Sequence, residues 1–414
     1  MRKMFLLVLI AFAIGQSVCA QATRREIFMT SSDAAIPYRI PAIAQASNGQ
    51  LICVADYRWN KGDIGWSPEL YGSRIDLKYR LSADGRSFGP EHTVVFGSGS
   101  KNPARAGFGD ATLVADRETG DVLMLCVMGN VSWGDTSDRN PMRVARILSQ
   151  DNGTTWSEPT EITSDIYNLY DGLQGLFFGS GKMYQSRIHK LGSHYRIYAA
   201  MLAKPGGNRV VYSDDFGKTW HALGGPNAQP CPEGDEPKII ELPNGKLLLS
   251  SRTDGGRYFN LFSYDDVADG TGSWQEPVLS NQSNNGIVAL SNACNGGVEI
   301  VRARRLLDNR PVYLLLQSVP FGPQRANVGI YYKELPLDYA FSDVSDLATH
   351  WTGRFQVSQL PSAYSEILLL QDGHLAFIYE ECSHIQAYTI VHRLLSLEEI
   401  TNGLYRIDLG DVKQ

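Results

Sequence analysis

One eight-residue pattern recurs along this chain and limits its fold more than any other feature. Ser-x-Asp-x-Gly-x-Thr-Trp stands intact at residues 149–156 and again at 213–220. A shorter copy runs from Ser82 through Asp84 and Gly85 to Phe88, with Phe in the Trp position. A fourth, Ser263-Tyr264-Asp265 continued by Gly272-Ser273-Trp274, carries an insertion. The chemistry suits a hairpin turn. Asp can accept from turn amides, Gly tolerates positive φ, and Trp can pack beneath the adjoining strands. The segments between the boxes agree. In residues 49–54, 120–125, 244–250 and 372–378, a Gly-containing turn precedes an apolar run of strand length. Helical periodicity is scarce, and 394–401 is the best short candidate. The box serines 82, 149, 213 and 263 are spaced 50–67 residues apart. A unit of that size is a four-stranded antiparallel sheet with long loops, and the chain after its leader accommodates about six. The fold expected is all-β, a six-bladed β-propeller with Asp-box repeats, in one domain over residues 21–414.

The N-terminus reads differently. Arg2 and Lys3 precede a largely apolar stretch, and Val18-Cys19-Ala20 supplies small residues at a cleavage position. Residues 1–20 are therefore expected to be a signal peptide, giving a secreted or periplasmic protein. Lipoprotein processing at Cys19 is the lesser alternative, because Gln16-Ser17-Val18 matches that signal poorly. The leader is too short to span a bilayer, and no later segment is long and apolar enough. A formal net charge of −6 argues against nucleic acid or an anionic membrane as general partner. An anionic ligand would instead have to meet a local cluster of cations. Cys53, Cys126, Cys231, Cys294 and Cys382 are scattered, which suits neither a disulfide framework nor a metal site, and Cys53 reads as a small buried hydrophobe. His189, His194 and His384 also lack ligand spacing, so no metal and no cofactor are expected.

Tyr38-Arg39-Ile40-Pro41, taken with the Asp boxes, resembles the sialidase family, glycoside hydrolase family 33. The resemblance extends from about Ile36 to Glu380. It implies an exo-sialidase that removes terminal sialic acid from glycans with retention, acting as a monomer. The sugar carries a carboxylate, and guanidinium groups grip carboxylates through planar paired donors. The family pattern puts that task on Arg39, Arg252 and Arg325, with Arg302, Arg304 and Arg305 as nearby competitors for the third place. A carboxylate nucleophile would be repelled by the substrate's own charge, whereas a neutral phenol is not. Tyr364 matches the nucleophile and Glu236 its base, with Glu233, Asp235 and Glu241 as rivals. Asp63, after the flexible Gly62, matches the general acid/base. Arg58 and Asp110 match a pair contacting a hydroxyl across the ring, and Glu380 the acid holding Arg39, with Glu381 one residue away. Met128, Trp133 and Phe178 are apolar candidates for an N-acetyl pocket, though residues of this kind are more often core than site. The same residues would serve a trans-sialidase or an intramolecular trans-sialidase. A sialic-acid-binding propeller without turnover would have lost Tyr364, Glu236 or Asp63, and all three are present.

Overall fold

Short apolar runs separated by tight turns become six mainly antiparallel sheets arranged as the blades of a propeller. The computed structural model describes residues 24–30, 36–65, 73–385 and 387–410, so the expected leader lies outside the described residues. The body of each blade is an antiparallel meander. The first blade comprises Tyr38–Gln45, Leu51–Arg58, Ile75–Ser82 and His92–Val95. Gly107–Ala115, Ile197–Lys204 and Pro237–Glu241 belong to the second, third and fourth. Val298–Arg305 belongs to the fifth and Ser362–Leu369 to the sixth. The sixth blade takes its outer strand from the other end of the chain, Arg24–Phe28 pairing antiparallel with Ala387–Leu395.

Hydrophobic faces stack blade against blade. Ile52 and Val54 of the first blade pack with Leu113 and Met124 of the second, and Leu123 and Leu125 pack with Ile197 and Met201 of the third. The Asp boxes stitch these faces together. Ser149 Oγ donates to Asp151 Oδ1 at 2.8 Å and accepts from Gly153 N at 2.9 Å, while Thr155 N donates to Asp151 Oδ1 at 2.8 Å. The box at Ser213 repeats this arrangement through Asp215, Gly217 and Thr219. The shortened copy keeps the Ser82, Asp84 and Gly85 contacts. Trp220 is buried between the second and third blades.

Two expectations are corrected. In the fourth box Asp265 does not cap the turn. The insertion extends the hairpin Gly256–Asp266/Thr271–Trp274, and Asp269 accepts from Thr271 N at 2.9 Å instead. The helix expected over 394–401 shrinks to Leu397–Ile400. Leu394 and Leu395 complete the strand Ala387–Leu395, and Ser396 caps the helix by accepting from Glu399 N.

Three inner strands break register at one end: between Arg39 and Ala42, between Gly109 and Thr112, and between Ser362 and Ser365. Such bulges redirect side chains. Two residues inside them, Ile40 and Asp110, have φ of 57° and 54°. A β-branched residue in that region is strained and persists only where its surroundings hold it.

Candidate active site

The bulge in Ser362–Leu369 turns the Tyr364 ring into a cavity lined from the first, second, third, fourth and sixth blades. Its hydroxyl donates to Glu236 Oε1 at 2.8 Å and accepts from Arg252 Nη1 at 3.0 Å. The same Arg252 nitrogen donates to Glu236 Oε2 at 2.8 Å, closing a phenol–carboxylate–guanidinium triangle. Glu236 immediately precedes the inner strand Pro237–Glu241, and Arg252 lies on the next strand, Leu247–Thr253. Arg39 and Arg325 flank the ring, each guanidinium carbon 5.5 Å from its centroid. Arg39, Arg252 and Arg325 therefore converge on one phenol. Burial raises the Tyr364 hydroxyl well above its ordinary range, and Glu236 adds to this, while Arg252 and Arg39 oppose it. The resting phenol is neutral, with an acceptor for its proton already in contact.

Glu380 anchors this side. It is fully buried on Leu375–Ile385, and its Oε1 accepts from Arg39 Nε and Ile40 N, both at 2.7 Å. Its Oε2 accepts from Tyr364 N at 3.1 Å. These contacts hold the strained Ile40 and the bulge at Tyr364 in fixed relation. Burial works against the charge of Arg39, but Glu380 keeps it firmly ionised.

Across the space lies a second cluster. Arg58 Nη2 is 2.8 Å from Asp56 Oδ2, 3.4 Å from Asp63 Oδ1 and 3.6 Å from Asp110 Oδ1. The Asp63 side chain is half exposed, whereas Asp110 is nearly buried. Burial, followed by repulsion from Asp63 and Asp56, raises the Asp110 carboxyl well above the usual range. The two clusters face one cavity of about 500 Å3, lined by Asp63, Asp110, Glu236, Arg252 and Tyr364 on its polar side. That volume suits one sugar unit, and most small-ligand pockets show such convergent polar groups.

The sequence rivals are engaged elsewhere. Arg302 and Arg304 pair with Asp408, and Arg305 with Asp308 and Glu334. Glu233 accepts from Tyr258, Glu241 binds Ser186 and the Arg187 amide, and Glu381 pairs with Arg24. Asp235 does line the cavity, 3.3 Å from Arg252 Nε, but Glu236 contacts the phenol. The apolar wall needs correction. Trp133 lines the cavity, but Met128 and Phe178 point into interblade core, and Met142, Phe177 and Leu202 stand in their place. Strand alternation explains the exchange of Phe178 for Phe177.

Other polar residues escaped the sequence reading. Asp56 shares a strand face with Arg58, the period-two spacing that could have flagged it. Two residues beyond Glu236 and Tyr364, on the strands Pro237–Glu241 and Ser362–Leu369, Lys238 and Glu366 form a buried pair at 2.8 Å. Lys182 and Glu299 form another at 2.6 Å, and Lys182 also donates to the Ile367 carbonyl. The backbones close tightly here, since a methyl on Gly181 would stand 2.3 Å from Glu366 Oε2.

Asp-box blades around a phenol–carboxylate pair and three guanidinium groups define a propeller glycosidase. The model of the BNR repeat-like domain matches residues 74–377, and the chain belongs to the sialidase family of glycoside hydrolases. It is 30% identical over 273 residues to a sialidase of Micromonospora viridifaciens, covering 60% of this chain but 40% of that protein's length. It is 26% identical over 377 residues to a sialidase of Paraclostridium sordellii, covering 87% of this chain and 85% of the other. Among solved structures, the Hadza microbial sialidase Hz136 superposes with a TM-score of 0.68 at 20% identity, covering 91% of this chain and 69% of the other. That likeness is one of fold.

Proposed function

We propose that this chain, exported by its first twenty residues, is an exo-sialidase that hydrolyses terminal sialic acid from glycans with retained configuration. The observation carrying the reading is the Tyr364 hydroxyl in contact with both Glu236 and Arg252, with Arg39 and Arg325 against its ring. Three guanidinium groups grip the sugar carboxylate. Tyr364 Oη attacks the anomeric carbon while Glu236 takes the phenol proton and Asp63 gives a proton to the departing glycosidic oxygen. Water then attacks the same carbon and the bond to Tyr364 breaks. Asp63 receives the water proton, and Glu236 returns its own to the phenol. The like-charge problem explains the choice of nucleophile. A neutral tyrosine approaches the anionic sugar without the repulsion a carboxylate would meet. Arg58 and Asp110 take a ring hydroxyl, and the Trp133, Phe177 and Met142 wall takes the N-acetyl methyl.

The test is release of an aryl alcohol from an α-linked sialoside by the exported fraction. Wild type should turn over and yield the α-anomer first, read by NMR. Tyr364→Phe should lose about a thousandfold or more in kcat, since no oxygen remains to form the intermediate. Full activity in Tyr364→Phe would remove the proposed nucleophile, and an inactive wild type would remove the enzymatic reading. Free sialic acid as the product, in the presence of lactose, separates hydrolysis from transfer.

A further inference from the structure

The nucleophile and its base stand on blades that are not neighbours. Tyr364 lies on the sixth blade, Glu236 and Arg252 belong to the fourth, and the fifth packs between them. Proton transfer from the phenol needs Glu236 within hydrogen-bond reach. The contact of 2.8 Å therefore depends on how two separate sheets are held relative to one another. A further link joins those sheets beneath it. Lys238 Nζ donates to Glu366 Oε2 at 2.8 Å, each residue standing two positions beyond Glu236 or Tyr364. Two positions along a strand are roughly 7 Å. Both side chains are buried, Glu366 completely. A second pair crosses beside the first. Lys182, on the second blade's strand Gly181–Lys182, donates from Nζ to Glu299 Oε2 of the fifth blade and to the Ile367 carbonyl of the sixth, each at 2.6 Å. Glu366 Oε1 accepts from the Ile367 amide at 3.1 Å, so both backbone polar groups of that residue, three past Tyr364, are held. Side chains from four blades can meet only near the axis of the ring. The seat is cut to fit them: a methyl at Gly181 would run into Glu366 and Lys238, and one at Gly297 would run into Glu366.

We propose that Lys238 and Glu366 are positioning residues, a buried strut across the propeller axis that sets the distance between Tyr364 and its base, an inference that rests on the sialidase reading of that pair. The strut touches no substrate. Glu380 ties Tyr364 to Arg39 of the first blade, and Lys238–Glu366 ties the same strand to the fourth, so the phenol is located from two sides. Stability alone does not call for an ion pair here. Hydration lost by two buried charges offsets much of their attraction, and packed apolar residues of similar volume often stabilise as well. What apolar side chains lack is a fixed donor–acceptor distance. Without the strut the fourth and sixth blades settle at their own packing distance, and a displaced base takes the phenol proton less readily. The grip on the sugar acid survives, because Arg39 and Arg325 come from the first and fifth blades.

Replacing both partners separates geometry from stability. Lys238→Met combined with Glu366→Leu removes both charges at similar volume, and its urea midpoint should lie close to that of wild type. Its kcat/KM on sialyllactose should nevertheless fall by about ten- to a hundredfold. The Ki of the 2,3-unsaturated analogue of sialic acid, which occupies the site without reacting, should change by less than about threefold. Wild-type activity per folded molecule in the double variant would reduce the pair to scaffolding and overturn the proposal. A Ki that rises in step with the lost activity would assign the pair to binding and overturn it too. Should the double variant not fold, two single ones decide. Glu366→Gln loses the charge but keeps the reach, and its carbonyl can still accept from Lys238 Nζ. Glu366→Asp keeps the charge and loses one methylene of reach. Glu366→Gln should retain more of kcat/KM than Glu366→Asp, and equal values or the reverse order would overturn the strut. A wild-type protein inactive on sialyllactose would instead overturn the sialidase reading, and this role with it.

Discussion

Glu380 lies wholly out of water, and its two oxygens accept from Arg39 Nε, Ile40 N and Tyr364 N. Glu380→Ala would leave a largely buried guanidinium without its counter-charge and two buried amides without acceptors. Removing one partner of a buried pair costs about 3–5 kcal/mol. That loss should appear in urea unfolding, accompanied by a fall in kcat/KM as Arg39 and the strained Ile40 relax. Glu380→Gln should fall between, because its amide carbonyl can still accept from one donor. A Glu380→Ala protein as stable as wild type would show that the pair holds nothing in place. This residue also marks what the sequence could and could not say. The family pattern pointed to Glu380, with Glu381 a rival should the register slip by one residue. Strand alternation separates them, since Glu381 faces away toward Arg24. Asp56 was half legible: its period-two spacing from Arg58 lies in the sequence, but its other donor, the Asp110 amide, comes from another blade, 54 positions further along. Phe178 was misread for a smaller reason, a one-residue phase on a strand of four, Gly175–Phe178.

At the scale of the element, the Asp box does more than close a hairpin. Its glycine rests on the preceding blade: a methyl on Gly153 would stand 2.5 Å from Ile52 Cδ1, and one on Gly217 would stand 2.6 Å from Leu123 Cδ2. Gly85 of the shortened box faces Leu394 of the sixth blade in the same manner. The repeat therefore encodes both the turn and the seam between neighbours. Gly153→Ala tests the distinction against Gly172→Ala. Both glycines have positive φ, 83° and 70°, but nothing lies within 4 Å of a methyl at Gly172. Gly172→Ala should cost only the backbone strain, about 1–2 kcal/mol. Gly153→Ala should cost about 1–3 kcal/mol more, for forcing a methyl against the fully buried Ile52. Equal denaturation midpoints would mean the box ends at its own turn. The first three boxes were legible because their spacing is nearly constant. The fourth was not, because an insertion passed the capping role from Asp265 to Asp269. Likewise, the bulges that present Arg39, Asp110 and Tyr364 leave no periodic trace, since a bulge is a break in the period.

The ring as a whole depends on one junction between distant parts of the chain. Arg24–Phe28 closes the sixth blade, and in that pairing Arg25 lies opposite His392. His392 is fully buried, its ring 5.1 Å from that of Phe88 in the first blade's box, and neither ring nitrogen has a hydrogen-bond partner among the described residues. Burial, with Arg25 nearby, lowers its pKa to about 3 from an ordinary 6.5. The consequence for stability follows from proton counting. Above pH 6.5 the imidazole is neutral whether the chain is folded or not, and pH has no effect through it. Below 6.5 the unfolded chain takes up a proton that the folded one refuses, so stability falls with pH, by up to about 1.4 kcal/mol per unit, until the folded pKa near 3 is reached. The box carboxylates Asp84, Asp151 and Asp215 are lowered, so their contribution is lost only at lower pH, below the ordinary 3.8. The raised Asp56 and Asp110 act in the opposite sense, favouring the folded state as pH falls. A comparison with His392→Leu cancels both groups. Between pH 6.5 and 4.5, wild type should lose stability relative to the variant, measured by urea unfolding at each pH, and the Arg24–Phe28 amides should lose hydrogen-exchange protection first. Parallel stability curves for the two proteins would show that the closing blade carries no such acid-sensitive group.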